Sequence, residues 1–199
     1  MLFFFITVIL VSLFTLYKTF SLGLFGDDWL AFFRYFQHLG PESPGQWNLL
    51  RYYLTPYGAQ DILMGIMQQI FGFESSRYYQ LSYLFRMLAA FSFYPLVFYL
   101  TKSRIASFFA VLFFSITVIG FDTTNWVFNM PSYITIALFN LFLFYFLKAR
   151  TEKPLPVLAI AGILYYFAYV TTPIRMHGSG IQVVLRGLPR KLQNVLVWE

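Results

Sequence analysis

The chain has 199 residues, of which 59% are hydrophobic and only 11% are charged. Soluble domains are about 45–50% apolar and about 25% charged, so this composition excludes an ordinary soluble domain and predicts several membrane-spanning helices. The formal net charge of +6 does not indicate a nucleic-acid partner, because the basic residues are spread over short connectors. The chain has no cysteine, which excludes disulfide bonds and thiolate metal sites.

Apolar segments predict five transmembrane helices within a single membrane domain that covers residues 1–199. The first is predicted at residues 2–22, and its length is close to the roughly 20 residues that a bilayer requires. This run is too long for the apolar part of a signal peptide, and no clear cleavage site follows it, so we expect it to remain attached. The other four helices are predicted at 83–100, 105–121, 131–147 and 155–171.

Residues 26–79 form an amphipathic region between the first two predicted membrane helices. Within it, Trp29, Phe32, Phe33 and Phe36 have the i, i+3, i+4, i+7 spacing of one apolar helical face. A second short helix is predicted to present a face made of Ile62, Leu63, Ile66, Met67, Ile70 and Phe71. Neither stretch is long enough to cross a bilayer, so we expect both to lie in the membrane interface. The predicted fold is an all-α, polytopic transmembrane helical bundle with two interfacial helices in its first loop.

Basic residues in the short connectors predict the orientation of this bundle. Lys102 and Arg104 follow the second predicted helix, and Lys148, Arg150 and Lys153 follow the fourth. Short loops rich in lysine and arginine stay in the cytoplasm, so the region 26–79 is predicted to be extracytoplasmic. We therefore expect a multi-pass protein of the plasma or inner membrane.

The basic tail 172–199 does not fit this pattern, because it should be extracytoplasmic and yet is rich in arginine and lysine. It could make an imperfect sixth crossing, lie on the membrane surface, or form a binding site with its basic residues. The tail ends without a stop signature, so we expect the chain to be the front part of a longer protein.

Two adjacent acids, Asp27 and Asp28, open the extracytoplasmic region. A carboxylate beside a membrane could accept a proton from an attacking hydroxyl, or it could hold a divalent cation near a phosphate group. Aspartate is also a preferred residue at a helix N-terminus, where its charge complements the helix dipole. One aspartate is enough for that structural role, so the other is left without an explanation.

Four further side chains are candidates for a binding site, and each also has a simple structural interpretation. Arg86 lies a few residues inside the second predicted membrane helix, where it could bind a lipid headgroup or reach toward the water. Arg175 could bind a phosphate through its forked donors, or it could anchor the chain at the membrane interface. Arg34 and His38 share a helical face with Asp27, which could be a titratable site or a solvated face with one weak ion pair.

The order of these features resembles the GT-C superfamily of membrane glycosyltransferases. The likeness is greatest to the bacterial branch of protein-mannosyltransferase-like and aminoarabinose-transferase-like enzymes. The residues that carry it are "GDDW" (26–29), "YYLTPYGAQDILMGIMQQIFGF" (52–73) and "SYLFRMLAA" (82–90). The chain departs from the family in having fewer membrane helices and no soluble domain after them, so a truncated chain could keep this part of the fold and be inactive.

The resemblance implies an enzyme that transfers a hexose or pentose from a polyprenyl-phosphate donor to an extracytoplasmic acceptor. It implies that Asp27 or Asp28 is the catalytic acid or a metal ligand, and that Arg86 and Arg175 bind the donor phosphate. Aromatic rings stack on sugars, so Trp29, Tyr52 and Tyr53 are further candidate contacts. Two alternatives remain: a transporter or flippase of a lipid-linked substrate, and a non-catalytic membrane protein.

Overall fold

The computed structural model describes residues 2–40, 49–53, 55, 57–117, 127–149 and 155–171, and every regular element in these ranges is helical. The all-α class predicted from the sequence is therefore confirmed for this part of the chain. The helices are α1 (Leu2–Leu16), α2 (Asp27–Leu39), α3 (Leu49–Tyr53), α4 (Gly58–Phe71), α5 (Ser75–Thr101), α6 (Arg104–Ile116), α7 (Pro131–Ala149) and α8 (Leu155–Thr171). Short 3₁₀ segments, Tyr17–Ser21 and Val127–Asn129, extend α1 and precede α7.

Within the described ranges, three helical stretches are long and apolar enough to cross a membrane: Phe3–Ser21, Ser75–Thr101 and Val127–Ala149. Their length and composition indicate a membrane protein. α5 begins well before the predicted residue 83, because its first two turns are polar and aromatic and carry no hydropathy signal. α6 has 13 residues and ends at Ile116, so it is shorter than the predicted helix 105–121. α8 has the predicted bounds.

Polar contacts set the register between α5 and α7. From one end to the other, Arg86 Nη1 donates to the Tyr133 hydroxyl at 3.1 Å, Asn140 Nδ2 donates to Ser92 Oγ at 2.9 Å, and the Tyr99 hydroxyl donates to the Leu147 carbonyl at 3.3 Å. Residue numbers rise together on both helices, so α5 and α7 are parallel. The contacts on α7 recur every seventh residue, which is the spacing of a coiled-coil seam.

α1 packs antiparallel on α5. The Phe5 ring near the start of α1 lies 5.8 Å from Tyr94, whereas Phe20, in the 3₁₀ segment after α1, lies 5.7 Å from Tyr83, close to the start of α5. The hydroxyl groups of Ser12 and Tyr83 are 2.8 Å apart and join the two helices. Small buried polar groups of this kind are common where helices meet in lipid.

The amphipathic helices α2 and α4 pack closely on each other and on the start of α5. Gly65 of α4 faces the Tyr35 ring of α2, and a Cβ at Gly65 would overlap that ring. Gln69 Nε2 also donates to the Tyr35 hydroxyl at 3.0 Å. The core between these helices is built from Ala31, Phe32, Met64, Met67, Tyr78, Tyr79, Val127, Phe128 and Met130.

The predicted apolar faces of α2 and α4 are both divided between the inside and the outside. Phe32 is buried, but Trp29, Phe33 and Phe36 are exposed, with Phe33 at 62%. On α4, Ile62 and Met67 are buried, whereas Ile66 and Ile70 are exposed, and Ile70 reaches 66%. Both stretches are helical, so the named residues share a face as predicted; one edge of each face packs in the protein core, and the rest faces outward.

Candidate functional site

The acidic pair begins α2 directly after a glycine with a left-handed backbone. Gly26 is the N-cap residue and has φ of 58°, a conformation that glycine adopts without strain. Neither aspartate is therefore the N-cap, although both lie in the first helical turn, where the helix dipole favours acids. Because consecutive helical residues point about 100° apart, the two carboxylates face different surroundings.

The Asp28 side chain is fully buried and holds two parts of the chain together. Its Oδ1 accepts a hydrogen bond from the Phe128 backbone N–H at 2.7 Å, and its Oδ2 accepts one from the Phe25 N–H at 3.2 Å. Burial raises the pKa of Asp28, while these two backbone donors lower it and the neighbouring Asp27 charge raises it further; the net direction is upward. The contacts give Asp28 a structural role, as the link between α2 and the segment before α7.

Asp27, by contrast, is half-buried, and its carboxylate makes no hydrogen bond or ion pair with any residue that the structure describes. Its charge acts on two neighbours, Asp28 and Arg34. Of the two acids, only Asp27 thus has carboxylate oxygens without a partner among the described residues.

A buried ion pair joins α2 to α4. Arg34 Nε and Nη2 donate to the two carboxylate oxygens of Asp61, each at 2.8 Å, and the Asp61 side chain is only 1% exposed. This two-pronged geometry is the strongest arrangement available to arginine and a carboxylate. Hydrogen bonding to Asp61 raises the pKa of Arg34, so its guanidinium stays charged.

Aromatic side chains surround this ion pair. The Tyr52 hydroxyl of α3 donates to Asp61 Oδ2 at 2.7 Å, and burial together with this bond raises the Tyr52 pKa. The Arg34 guanidinium lies 5.1 Å from the Tyr57 ring centre and 5.5 Å from that of Phe128, which are cation–π distances. The Tyr52 backbone lies so close to Gly58 that a Cβ there would overlap the Tyr52 carbonyl.

His38 and the other predicted sugar contacts lie around the same helices. The His38 ring is 5.3 Å from the Tyr52 ring. Trp29 is 49% exposed, and its indole N–H donates to the Leu24 carbonyl at 3.1 Å. Tyr53 is half-buried, and burial raises its pKa. Arg34, His38 and Tyr52 are thus brought together, while Trp29 lies on the outward face of α2.

Arg86 is buried at the end of α6, away from this cluster. Its guanidinium donates to the carbonyls of Ser115 at 3.1 Å and Thr117 at 2.6 Å, in addition to the Tyr133 hydroxyl. The last carbonyls of a helix have no partner within the helix and carry its negative dipole end, so Arg86 stabilises the α6 C-terminus. Its role in phosphate binding stays a prediction. Arg175 lies outside the described residues.

A cation site at the acidic pair stays a prediction. Magnesium and calcium take about six oxygen ligands, and each oxygen of Asp28 already accepts one backbone hydrogen bond, which leaves Asp28 only its remaining lone pairs for a cation. Among the described residues, no group of three or more His, Cys, Asp or Glu side chains is placed to hold a metal ion. We therefore derive no step through a metal at this site.

Sequence reasoning missed Asp61 as a member of the site. Asp61 is the only charged residue of α4 and lies in its first turn, and a buried carboxylate there requires a cationic partner. Arg34 is the arginine on the inward side of α2. The helical periodicity of the sequence could therefore have indicated it as the partner of Asp61.

No family model, curated protein or solved structure matches the chain.

Proposed function

We propose that this protein is an integral membrane glycosyltransferase of the GT-C type. It moves a sugar from a polyprenyl-phosphate donor to an extracytoplasmic acceptor, and the Asp27 carboxylate is its catalytic base. The observation that supports the proposal is that the two aspartates of the acidic pair have different surroundings. Asp28 is buried and engaged by two backbone N–H groups, whereas Asp27 is half-buried and has no partner among the described residues.

The outward faces of α2 and α4 support a location in the membrane interface. Soluble amphipathic helices turn polar residues outward, but here Trp29, Phe33 and Ile70 are exposed while Arg34 and Asp61 turn inward. An apolar outer surface with polar groups behind it suits the boundary between headgroups and acyl chains. A lipid-linked sugar presents its phosphate at this depth.

The distribution of charge supports an extracytoplasmic location for the acidic site. Asp27, Asp28 and Asp61 lie near the start of α5, since the Tyr79 hydroxyl of α5 donates to the Gly23 carbonyl just before α2. Lys102 and Arg104 lie at the opposite end of α5, in the exposed turn to α6. Basic connectors favour the cytoplasm, so the acidic end would face outward in a multi-pass arrangement with five membrane helices.

The proposed reaction needs one proton acceptor. The Asp27 carboxylate takes the proton of the acceptor hydroxyl as the hydroxyl oxygen forms a bond to the anomeric carbon. The bond between that carbon and the phosphate oxygen breaks, and polyprenyl phosphate leaves with the bonding electron pair. Arg175 remains the predicted cation for the leaving phosphate.

The test compares Asp27→Asn with Asp28→Asn in the full chain, reconstituted in liposomes with undecaprenyl-phosphate-linked hexoses and pentoses. The measured quantity is the release of undecaprenyl phosphate. A positioned general base contributes about 10²–10⁴-fold, so Asp27→Asn should lose turnover by that factor while its Tm stays near the wild-type value. Asp28→Asn should lower Tm and reduce turnover only in proportion to the folded fraction.

Glu74→Gln is the matched control, because Glu74 is an exposed acid whose contacts are with its neighbours Ser76 and Arg77. It should leave turnover unchanged. Normal turnover in a correctly folded Asp27→Asn protein contradicts the proposal. Movement of the intact donor across the bilayer without cleavage would favour the transporter alternative.

A further inference from the structure

Arg34 is influenced by the charges of two acids, Asp61 and Asp27, but makes hydrogen bonds to only one of them. Both oxygens of Asp61 are bound by its fork, each at 2.8 Å. The Asp27 charge also acts on Arg34, yet no hydrogen bond joins the two side chains. Asp27 and Arg34 are seven residues apart on α2, so they lie on the same helical face about two turns from each other.

Several contacts hold the Arg34 guanidinium on the Asp61 side. Tyr52 donates a further hydrogen bond to Asp61 at 2.7 Å, and the rings of Tyr57 and Phe128 flank the guanidinium. Asp61 is only 1% exposed, so its attraction for Arg34 is screened less by water than that of the half-buried Asp27. The geometry thus makes Asp61 the stronger of two competing partners.

We propose that Asp61 is a positioning residue that keeps Arg34 from pairing with Asp27, so that the Asp27 carboxylate stays free to accept a proton. The significance of a free Asp27 rests on the proposed glycosyl transfer, but the competition between the two acids does not. Without the Asp61 charge, the partly buried guanidinium loses the one ion-pair partner it has among the described residues, and Asp27 is the acid on its own helical face. Arg34 then turns toward Asp27 and occupies the carboxylate.

Chemical labelling of carboxylates tests this competition without any substrate. The full chain in nanodiscs is treated with a water-soluble carbodiimide and glycine ethyl ester, and modification of Asp27 is measured by peptide mass spectrometry. In Asp61→Asn, labelling of Asp27 should fall about fivefold, the factor that corresponds to about 1 kcal/mol for an ion pair near a surface. In Asp61→Asn combined with Arg34→Gln, Asp27 labelling should return to the wild-type level.

The double variant separates positioning from a structural role. If the ion pair only stabilises the fold, the single and double variants should differ in their folded fraction but have the same turnover per folded molecule. Under our proposal, the double variant recovers turnover that Asp61→Asn loses, because Arg34 is no longer present to occupy Asp27. Turnover and Asp27 labelling are therefore both measured per folded molecule, and where Asp61→Asn alone fails to fold, the proposal still requires a folded double variant with wild-type Asp27 labelling and turnover.

The exposed pair of Glu74 and Arg77 supplies the matched control. Glu74→Gln combined with Arg77→Gln should change neither Asp27 labelling nor turnover. Unchanged Asp27 labelling in a folded Asp61→Asn protein overturns the inference, as does a folded double variant without turnover. Failure of the proposed function gives a different result: Asp27→Asn keeps full turnover while the labelling changes remain as described.

Discussion

At the scale of single residues, the acidic pair shows what a sequence can and cannot predict. Helix geometry alone requires Asp27 and Asp28 to point in different directions. Nothing local in the sequence indicates that the Phe128 N–H, a hundred residues away, approaches Asp28 at 2.7 Å. The sequence therefore predicted two roles for the pair but not which aspartate has which role. Contacts between distant segments show the structural role of Asp28.

Asp28 should make the stability of the protein depend on pH. Its folded-state pKa is raised, so the folded chain binds this proton more readily than the unfolded chain does. The resulting stabilisation is present at low pH and is lost as pH rises through the raised pKa. We expect the Tm of the wild type, relative to Asp28→Asn, to be higher at pH 4 than at pH 8. A difference in Tm that is constant across this range would contradict the raised pKa, and Glu74→Gln controls for the titration of exposed acids.

At the scale of elements, hydropathy predicts where long apolar helices occur but not how helices meet. The five predicted membrane helices all have counterparts, while α5 starts earlier than predicted and α6 ends sooner. The division of α2 into an inner and an outer apolar side was not predicted, because periodicity identifies apolar residues without saying what covers them. Gly65 lies at the contact between α2 and α4. The need for a glycine at this position becomes clear only when the Tyr35 ring is seen opposite it.

The contact between Gly65 and Tyr35 should be sensitive to a single methyl group. Gly65→Ala should destabilise the protein by about 1–3 kcal/mol, the usual effect of overpacking, because the new Cβ overlaps the Tyr35 ring. The measurement is Tm in detergent or nanodiscs. Gly162→Ala in α8 is the matched control, since it is another glycine inside a helix and no atom lies within 4 Å of its added Cβ.

The control should be neutral or slightly stabilising, because alanine favours a helix over glycine by about 1 kcal/mol. Combining Gly65→Ala with Tyr35→Leu should restore part of the lost stability. Equal Tm values for the two glycine variants would mean that α2 and α4 do not meet at this point.

At the scale of the whole molecule, composition predicted a helical membrane protein. Three of the helical stretches that the structure describes are long and apolar enough to cross a membrane. The depth of α2 is the next quantity to measure. In a variant with Trp47, Trp126 and Trp198 replaced by Phe, Trp29 reports the position of the exposed α2 face. We expect lipids brominated near the headgroup to quench Trp29 fluorescence more strongly than lipids brominated near the acyl-chain end, as for an interfacial helix.

A companion variant that also carries Phe33→Ser and Phe36→Ser tests whether the outward face of α2 anchors it. Quenching of Trp29 by the shallow bromines should decrease, because these two exposed rings no longer hold the helix at the membrane. Equal quenching at both bromine depths, or no quenching at all, would place α2 elsewhere than in the interface.

The contacts of Asp28 and Arg86 also have an order in time, because a chain is synthesised from its N-terminus. Arg86 emerges from the ribosome before the carbonyls of Ser115 and Thr117, so the α6 C-terminus meets its donor as soon as it is made. Asp28 emerges long before Phe128, so the backbone N–H that donates to its carboxylate is absent until Phe128 has been added. The acidic site is therefore completed late in synthesis, and a nascent chain that stops before Phe128 carries the catalytic candidate Asp27 without the contact that fastens its helix.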